Sequence, residues 1–414
     1  MRATATEERV AAPTWTGLVR RPGYPRYFAA VALARVPTTM WAVAVALLVL
    51  SRTGSLSLAG ITVAAGFLPA AITGPLLGAW LDMTRSRRML IALDQLSAIA
   101  ALVGILLVAG HGPDWALPAL GVAYGLTSPL SMGAFRSVLP ELVGSELLPK
   151  ANTMEATSIN LAYIVGPALA GAIAGGAGAA VAVEVQIGLF AATIALTTTA
   201  QIFELRPSAR PRGLVASVRD GLGALWRLVP LRAVSASSLF SVMGWGSLNV
   251  GFPAYAIAVN AGAHASGYLW AAVSVGSAVS AFAFARVAAR LSTVVLMAGS
   301  SLAMGCSALL WPLASNLPVA LVLVTLTGVL EGPALAAFFT VRQRFTPAHL
   351  RGQVFSTVGS VTLAGMAIGS AFAGPVHAAL GTDATLLAFA AFQFASAACL
   401  LPARGALRGT EAHA

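Results

Sequence analysis

Of the 25 Lys and Arg residues in this chain, 23 fall in every second gap between long apolar stretches. The stretches run to ~20 residues, the length of helix that crosses ~30 Å of hydrocarbon. They recur twelve times, beginning near Phe28, Ser57, Arg88, Trp115, Thr153, Ala180, Arg232, Ala265, Ser292, Pro318, Val354 and Asp383. The basic gaps hold Arg2, Arg9, Arg20, Arg21 and Arg26; Arg85, Arg87 and Arg88; Arg136 and Lys150; six arginines from Arg206 to Arg232; Arg286 and Arg290; Arg342, Arg344 and Arg351; and Arg404 and Arg408. The alternate gaps contain only Arg52, and Arg35 lies inside the first stretch. Basic loops stay in the cytoplasm when a membrane protein inserts. Both termini are therefore expected there, which requires an even number of spans.

Composition agrees, because 58% hydrophobic and 9% charged residues leave too little polar surface to cover a soluble globule. Unbroken apolar runs, rather than ~10-residue alternating segments, specify helices and not a barrel. The expected fold class is all-α integral membrane, with twelve transmembrane helices. The first 27 residues mix Glu7 and Glu8 with five arginines, and the apolar run behind them is too long for a signal-peptide core. It reads as a retained first span.

The net charge of +11 does not indicate nucleic acid, since the basic residues are divided among seven segments without a stacking platform or groove-reading motif. It reads as topology plus attraction to anionic lipid at the cytoplasmic face. Cys306 and Cys399 have no CxxC partner and read as small buried hydrophobes. His111, His264 and His377 lack metal-ligand spacing and are expected to be solvated, so no metal or cofactor is expected. No nucleophile–base set or phosphate loop marks an enzyme.

Loops are short except one, which divides the chain into a tail (1–27), a six-helix bundle (28–203), a linker (204–231), a second six-helix bundle (232–402) and a tail (403–414). Within the linker Val218, Leu222, Leu225, Trp226 and Val229 recur at helical spacing between basic residues. That pattern predicts an amphipathic helix lying on the cytoplasmic leaflet. Offsetting the fifth span by 203 residues lays Gly166-Pro167-Ala168-Leu169-Ala170-Gly171 on Gly369-Ser370-Ala371-Phe372-Ala373-Gly374. The match supports two parallel halves related by an axis along the membrane normal.

After the second span the chain reads GAWLDMTRSRRM, Gly78 to Met89. Gly78 allows close helix approach, and Asp82 can cap a helix end or pair with a nearby arginine. This loop resembles the signature of the major facilitator superfamily at Gly78, Asp82, Arg87 and Arg88, and departs from it at Met83, Arg85 and Ser86. Ala151 to Gly171, with Gly166, Pro167 and Gly171, resembles the fifth-helix motif of that superfamily's proton-coupled exporters, though part of the glycine set is missing. With the preceding SVLPELVGSELLPKAN, the region is similar to the macrolide-efflux and enterobactin-exporter branch.

The resemblance implies two pseudo-symmetric six-helix bundles around a cavity lined by the first, fourth, seventh and tenth spans. Those spans carry polar stripes at helical spacing: Arg35, Thr38 and Thr39; Tyr124, Ser128 and Ser131; Ser238, Ser241, Trp245 and Asn249; and Thr327, Glu331, Phe338 and Arg342. Arg35 and Glu331 lie at comparable depth, roughly 12 and 15 Å from the basic face at 1.5 Å per residue. A charge inside the membrane needs a partner, so the two are expected to pair across the halves, with protonation of Glu331 releasing the pair. Asp94 needs a partner as well, from Arg88 or Arg35. Asp82, Arg88 and Arg136 complete the expected gating set, while Glu155 and Glu184 are expected to reach interfacial water.

The resemblance implies a proton-coupled exporter; the aromatic, hydroxyl-lined cavity expected from the stripes suits amphipathic or hydrophobic small molecules, and the short loops without processing signals lead to the expectation of a monomer in a bacterial cytoplasmic membrane. The alternatives are an importer or uncoupled facilitator, in which Glu331 is structural, or a membrane receptor or membrane-embedded enzyme. A receptor would carry a larger soluble output domain than these short loops provide.

Overall fold

A computed structural model describes residues 14–84, 86–199, 223, 225–283, 291–346 and 351–403. The elements among them are helical: α1 (Trp15–Val19), α2 (Tyr24–Thr53), α3 (Leu56–Met83), α4 (Arg87–Val108), α5 (Ala116–Gly176), α6 (Ala179–Thr198), α7 (Val229–Ala258), α8 (Ser266–Ala283), α9 (Thr293–Ala308), α10 (Leu317–Phe345) and α11 (Arg351–Leu400). Eight stretches among the described residues are long and apolar enough to cross a membrane. The side chains that would be wasted facing water in a soluble protein, such as Leu107, Val322 and Leu380, stand on the outer surface.

Two helices are too long for one crossing, and each is broken at a glycine. α5 has 61 residues and passes through Gly144 at φ 75°, ψ 171°. α11 has 50 residues and passes through Gly381 at φ 83°, ψ −173°. A side chain at such dihedrals clashes with its own backbone, so glycine alone holds them without strain. The two arms of α5 fold side by side, because the Tyr27 hydroxyl reaches both the Phe135 carbonyl (3.0 Å) and the Glu155 carboxylate (2.7 Å), from before and after Gly144. In α11 the rings of Phe372 and Phe392 meet at 5.9 Å across Gly381 in the same way.

Helices α2–α6 form one bundle around Trp41, Tyr124 and Phe190, and α7–α11 form a second around Trp245, Phe252, Trp311 and Phe389. Within each, the first glycine of the repeated motif presses on the bundle's own first helix: Gly166 on Thr39 and Gly369 on Met243. The second presses on the other bundle. A methyl group on Gly171 would lie 2.8 Å from Gly267 Cα, and one on Gly374 would lie 2.5 Å from Ser57 Cα. Both contacts lie at the end of the bundles remote from the start of α2, called the far end below. The 203-residue repeat is therefore a repeat of contacts, in which small residues let backbones approach where lipid offers no hydrophobic drive to association.

Two expectations need correction. Cys306 is exposed on the outer surface and Cys399 is half-buried, because in lipid an apolar thiol gains nothing by facing inward. The His264 ring, expected in solvent, packs over Gly175 of the other half. Most of the linker helix lies outside the described residues; of its stripe, Leu225 is buried against Val354 and Val358, while Trp226 is 74% exposed.

Gly144→Ala and Gly381→Ala should each destabilise the protein by about 1–3 kcal/mol, whereas Gly188→Ala in α6, helical and facing open space, should be neutral or stabilising. Thermal unfolding of the purified variants in detergent checks this.

Candidate functional site

A cavity of about 190 Å³ opens within the first bundle, lined by Val31, Ala34, Arg35, Thr38, Thr39, Asp94, Tyr124, Ser128, Ser131, Phe135, Arg136 and Tyr163, among others. Eight residues expected from the sequence to line the cavity or serve gating meet here: Arg35, Thr38, Thr39, Asp94, Tyr124, Ser128, Ser131 and Arg136. α2 supplies the first three, α4 supplies Asp94, and the first arm of α5 supplies the last four. Tyr124 lies flat on Trp41, with ring centroids 3.7 Å apart, which fixes an aromatic floor.

Arg35 does not pair with Glu331. Its guanidinium donates to the Glu155 carboxylate (2.7 Å), the Glu155 carbonyl (3.1 Å) and Ser158 Oγ (2.6 Å). Glu155 is 7% exposed rather than solvated, and it also takes the Tyr27 hydroxyl hydrogen. Depth explains the correction. Arg35 stands eleven residues past Tyr24, and Glu155 eleven past Gly144, so both sit about 16 Å along parallel helices. The expected start of the fifth span near Thr153 had put Glu155 at the interface.

Asp94 is 5% exposed and takes hydrogens from Ser131 and from Gln95 Nε2 (3.1 Å). Its partners are thus a hydroxyl and an amide rather than the expected Arg88 or Arg35. Arg88 is half-buried at the start of α4. Gly78 and Asp82 fall in α3, and their side chains lie outside the described ones.

The second bundle does not mirror this wall. Ser241 donates to Gln393 Oε1 (3.2 Å), Asn249 Nδ2 to Ser370 Oγ (2.8 Å), and the Thr327 and Ser307 hydroxyls lie 2.9 Å apart. Trp245 packs on Phe389 and Trp270, and Phe338 shares a buried cluster with Val234, Val294 and Met297 of neighbouring helices. These five, expected on the cavity wall, instead join helices within their own bundle. Polar groups between helices in lipid must satisfy one another, and that demand took precedence over exposure to the cavity.

Glu331 is half-buried on α10 and lies close to the Ser277 hydroxyl of α8. One turn away on α8, the Ser274 hydroxyl is shared between the Trp270 carbonyl of its own helix (3.0 Å) and the Tyr163 carbonyl of the opposite bundle (3.2 Å). Tyr163 lines the cavity and lies within electrostatic reach of both Arg136 and Glu331. Glu331 thus has Ser277 of α8 and Tyr163 as electrostatic neighbours, and not Arg35. Sequence reasoning passed over Tyr27, Ser158, Tyr163, Ser274 and Ser277. Of these only Ser158 carried a signal, standing three residues after a carboxylate on one helix face.

Known proteins match this arrangement. A family model described as transmembrane secretion effector covers residues 17–414. An uncharacterized MFS-type transporter, y4rN, of Sinorhizobium fredii is 29% identical over 383 residues, 88% of this chain and 90% of its own. The multidrug efflux pump Tap of Mycobacterium tuberculosis is 31% identical over 357 residues, 83% of this chain and 84% of its own. Among solved structures, a POT family transporter in complex with a thioalcohol-conjugated peptide superposes with TM-score 0.72 at 10% identity, covering 92% of this chain and 96% of that one.

Arg35→Gln or Glu155→Gln alone strands a buried charge and should cost about 3–5 kcal/mol, whereas the double variant should cost less than the two together. A double-mutant cycle read by thermal unfolding measures that coupling.

Proposed function

Because the chain belongs to the transmembrane secretion effector family, and is a multi-pass membrane transporter of the major facilitator type and not an enzyme, we propose that it exports amphipathic or hydrophobic small molecules in exchange for protons. Drug-like compounds, natural products and siderophores fit this class. The reading takes α5 and α11 as two spans each, so that the ten long helices make twelve. It takes the termini as cytoplasmic, the host as bacterial, the membrane as the cell membrane and the protein as a monomer.

One observation carries it: an aromatic and hydroxyl-lined cavity in one bundle, with contacts between the bundles drawn together at the far end. Gly171 against Gly267, Gly374 against Ser57 and Gly60 against Ser370 (2.7 Å from an added methyl to its carbonyl) form a seam there. With cytoplasmic termini, that is a carrier closed to the outside, ready to receive a substrate from the cell or the inner leaflet. The walls provide Phe135, Tyr124, Met132 and Ile159 against Thr38 and Ser128, which suits apolar bodies with few polar groups. That Tap is a multidrug efflux pump supports the outward direction.

Coupling is assigned to Glu331. As a carboxylate it attracts the nearby Ser277 hydroxyl on α8, the helix whose Ser274 reaches the Tyr163 carbonyl of the other bundle. Protonation removes the charge and one hydrogen-bond acceptor, loosening α8 from α5 and letting the bundles rock. Asp94, without a cationic partner among the described residues, is a second proton acceptor within the cavity itself.

The wild type, expressed in a host lacking its own exporters, should lower the accumulation of dyes, antibiotics or siderophores, and an uncoupler should remove the effect. Glu331→Gln should abolish gradient-driven efflux while leaving substrate binding within about threefold, since Glu331 lies off the cavity wall. Uncoupler-insensitive transport, or gradient-dependent uptake, would replace this reading with a facilitator or an importer.

A further inference from the structure

Arg342 occupies an unusual position. It lies in the last turn of α10, 5% exposed, and its Nε and Nη2 have no hydrogen-bond partner. The turn that carries it, Phe338 to Val341, packs on Val234, Val294, Met297 and Leu400. Its guanidinium lies over the Phe338 ring at 5.7 Å, which engages the face of the cation and leaves its edge N–H groups unmet. One turn on, Thr346 is 2% exposed, and its hydroxyl is also without a partner. The two share a face, since the Thr346 amide donates to the Arg342 carbonyl (3.2 Å).

A buried guanidinium left unpaired is among the most unfavourable features a fold can carry. The second bundle contains no carboxylate that can meet it. Between Arg232 and Arg404 the acidic residues are Glu331 and Asp383. Glu331 is eleven residues back on the same helix, about 16 Å along its axis. Asp383 follows the break at Gly381, at the far end. The sequence on either side of Arg342 adds only further cations, Arg344 and Arg351.

We infer that Arg342 and Thr346 form a binding site for a phosphate-type oxyanion at the cytoplasmic end of the second bundle. A planar fork of guanidinium donors with a hydroxyl beside it matches the several acceptor oxygens of phosphate, and the end of α10 lies where lipid headgroups begin. The same chemistry belongs to an anionic phospholipid headgroup and to free phosphate. Either turns the general attraction expected of the basic loops into an address, and neither depends on what the cavity carries.

The test uses the full-length protein and reads stability and lipid binding, not transport. Thermal unfolding is measured in neutral detergent with inorganic phosphate against chloride of equal ionic strength, and in nanodiscs of phosphatidylcholine with and without phosphatidylglycerol. Wild type should gain several degrees from one of the two ligands. Phosphate acting in detergent identifies the free anion; a gain only with phosphatidylglycerol, together with a retained lipid in native mass spectrometry, identifies the headgroup. Arg342→Met should lose that gain and, without ligand, should unfold at or above the wild-type temperature, because it removes an unpaired charge. Thr346→Val and Arg342→Lys, which disturb the fold least, should each weaken the gain. No gain from either ligand in wild type, or an equal gain in Arg342→Met, overturns the proposal.

Discussion

A guanidinium about 16 Å inside a helix bundle needs an anionic partner, and the first half of this protein is arranged to supply one to Arg35 at the edge of the cavity. Glu155 stands at the same height on the neighbouring helix, Ser158 one turn further on, and Tyr27 closes the network from below. Removing either charge would leave the other in a low-dielectric interior, where solvation cannot compensate. The pair therefore fixes the register of α2 against the second arm of α5. That register in turn presents Thr38 and Thr39 to the cavity and Gly166 to the back of Thr39.

The two halves share a skeleton and differ in chemistry. Each has a helix pair joined at a left-handed glycine, a first motif glycine against its own opening helix, and a second against the other half. In lipid such close backbone contacts supply association through packing rather than through the hydrophobic effect. On that common frame the first half carries a paired charge, a lone carboxylate and an aromatic floor. The second carries neutral Ser, Asn, Gln and Thr links between helices, with Glu331 and Arg342 outside any ion pair among the described residues. In the proposed exchange, asymmetry of this kind assigns the ligand to one half and the proton to the other, since the same group need not do both.

Much of this was legible in the residues. The alternation of basic loops and the length of the apolar runs led to the helical membrane fold, and a six-residue repeat with an offset of 203 marked positions that prove to be paired contacts. Arg35, Asp94, Tyr124 and Ser128 were recognisable because a polar stripe on an apolar helix is costly in lipid unless it faces a cavity or a neighbouring helix. Pairing was less legible. Helix ends read from composition misplace depth by several residues, enough to move Glu155 from the interior to the interface. In the second half, Ser241, Asn249 and Thr327 show the same stripe, yet their partners Gln393, Ser370 and Ser307 lie on other helices. A single helix gives no sign of which neighbour will satisfy it.

The central claim is that the far-end seam opens and closes under the control of Glu331. Double electron–electron resonance measures this most directly, with spin labels at Asp114→Cys and Asp383→Cys, one at the far end of each half, and with Cys306 and Cys399 replaced by Ala. In nanodiscs the wild type should show a short far-end distance and a longer one whose proportions change between acidic and alkaline buffer, while Glu331→Gln should hold a fixed proportion. A single distance at every pH, or the same pH response in Glu331→Gln, would contradict the account.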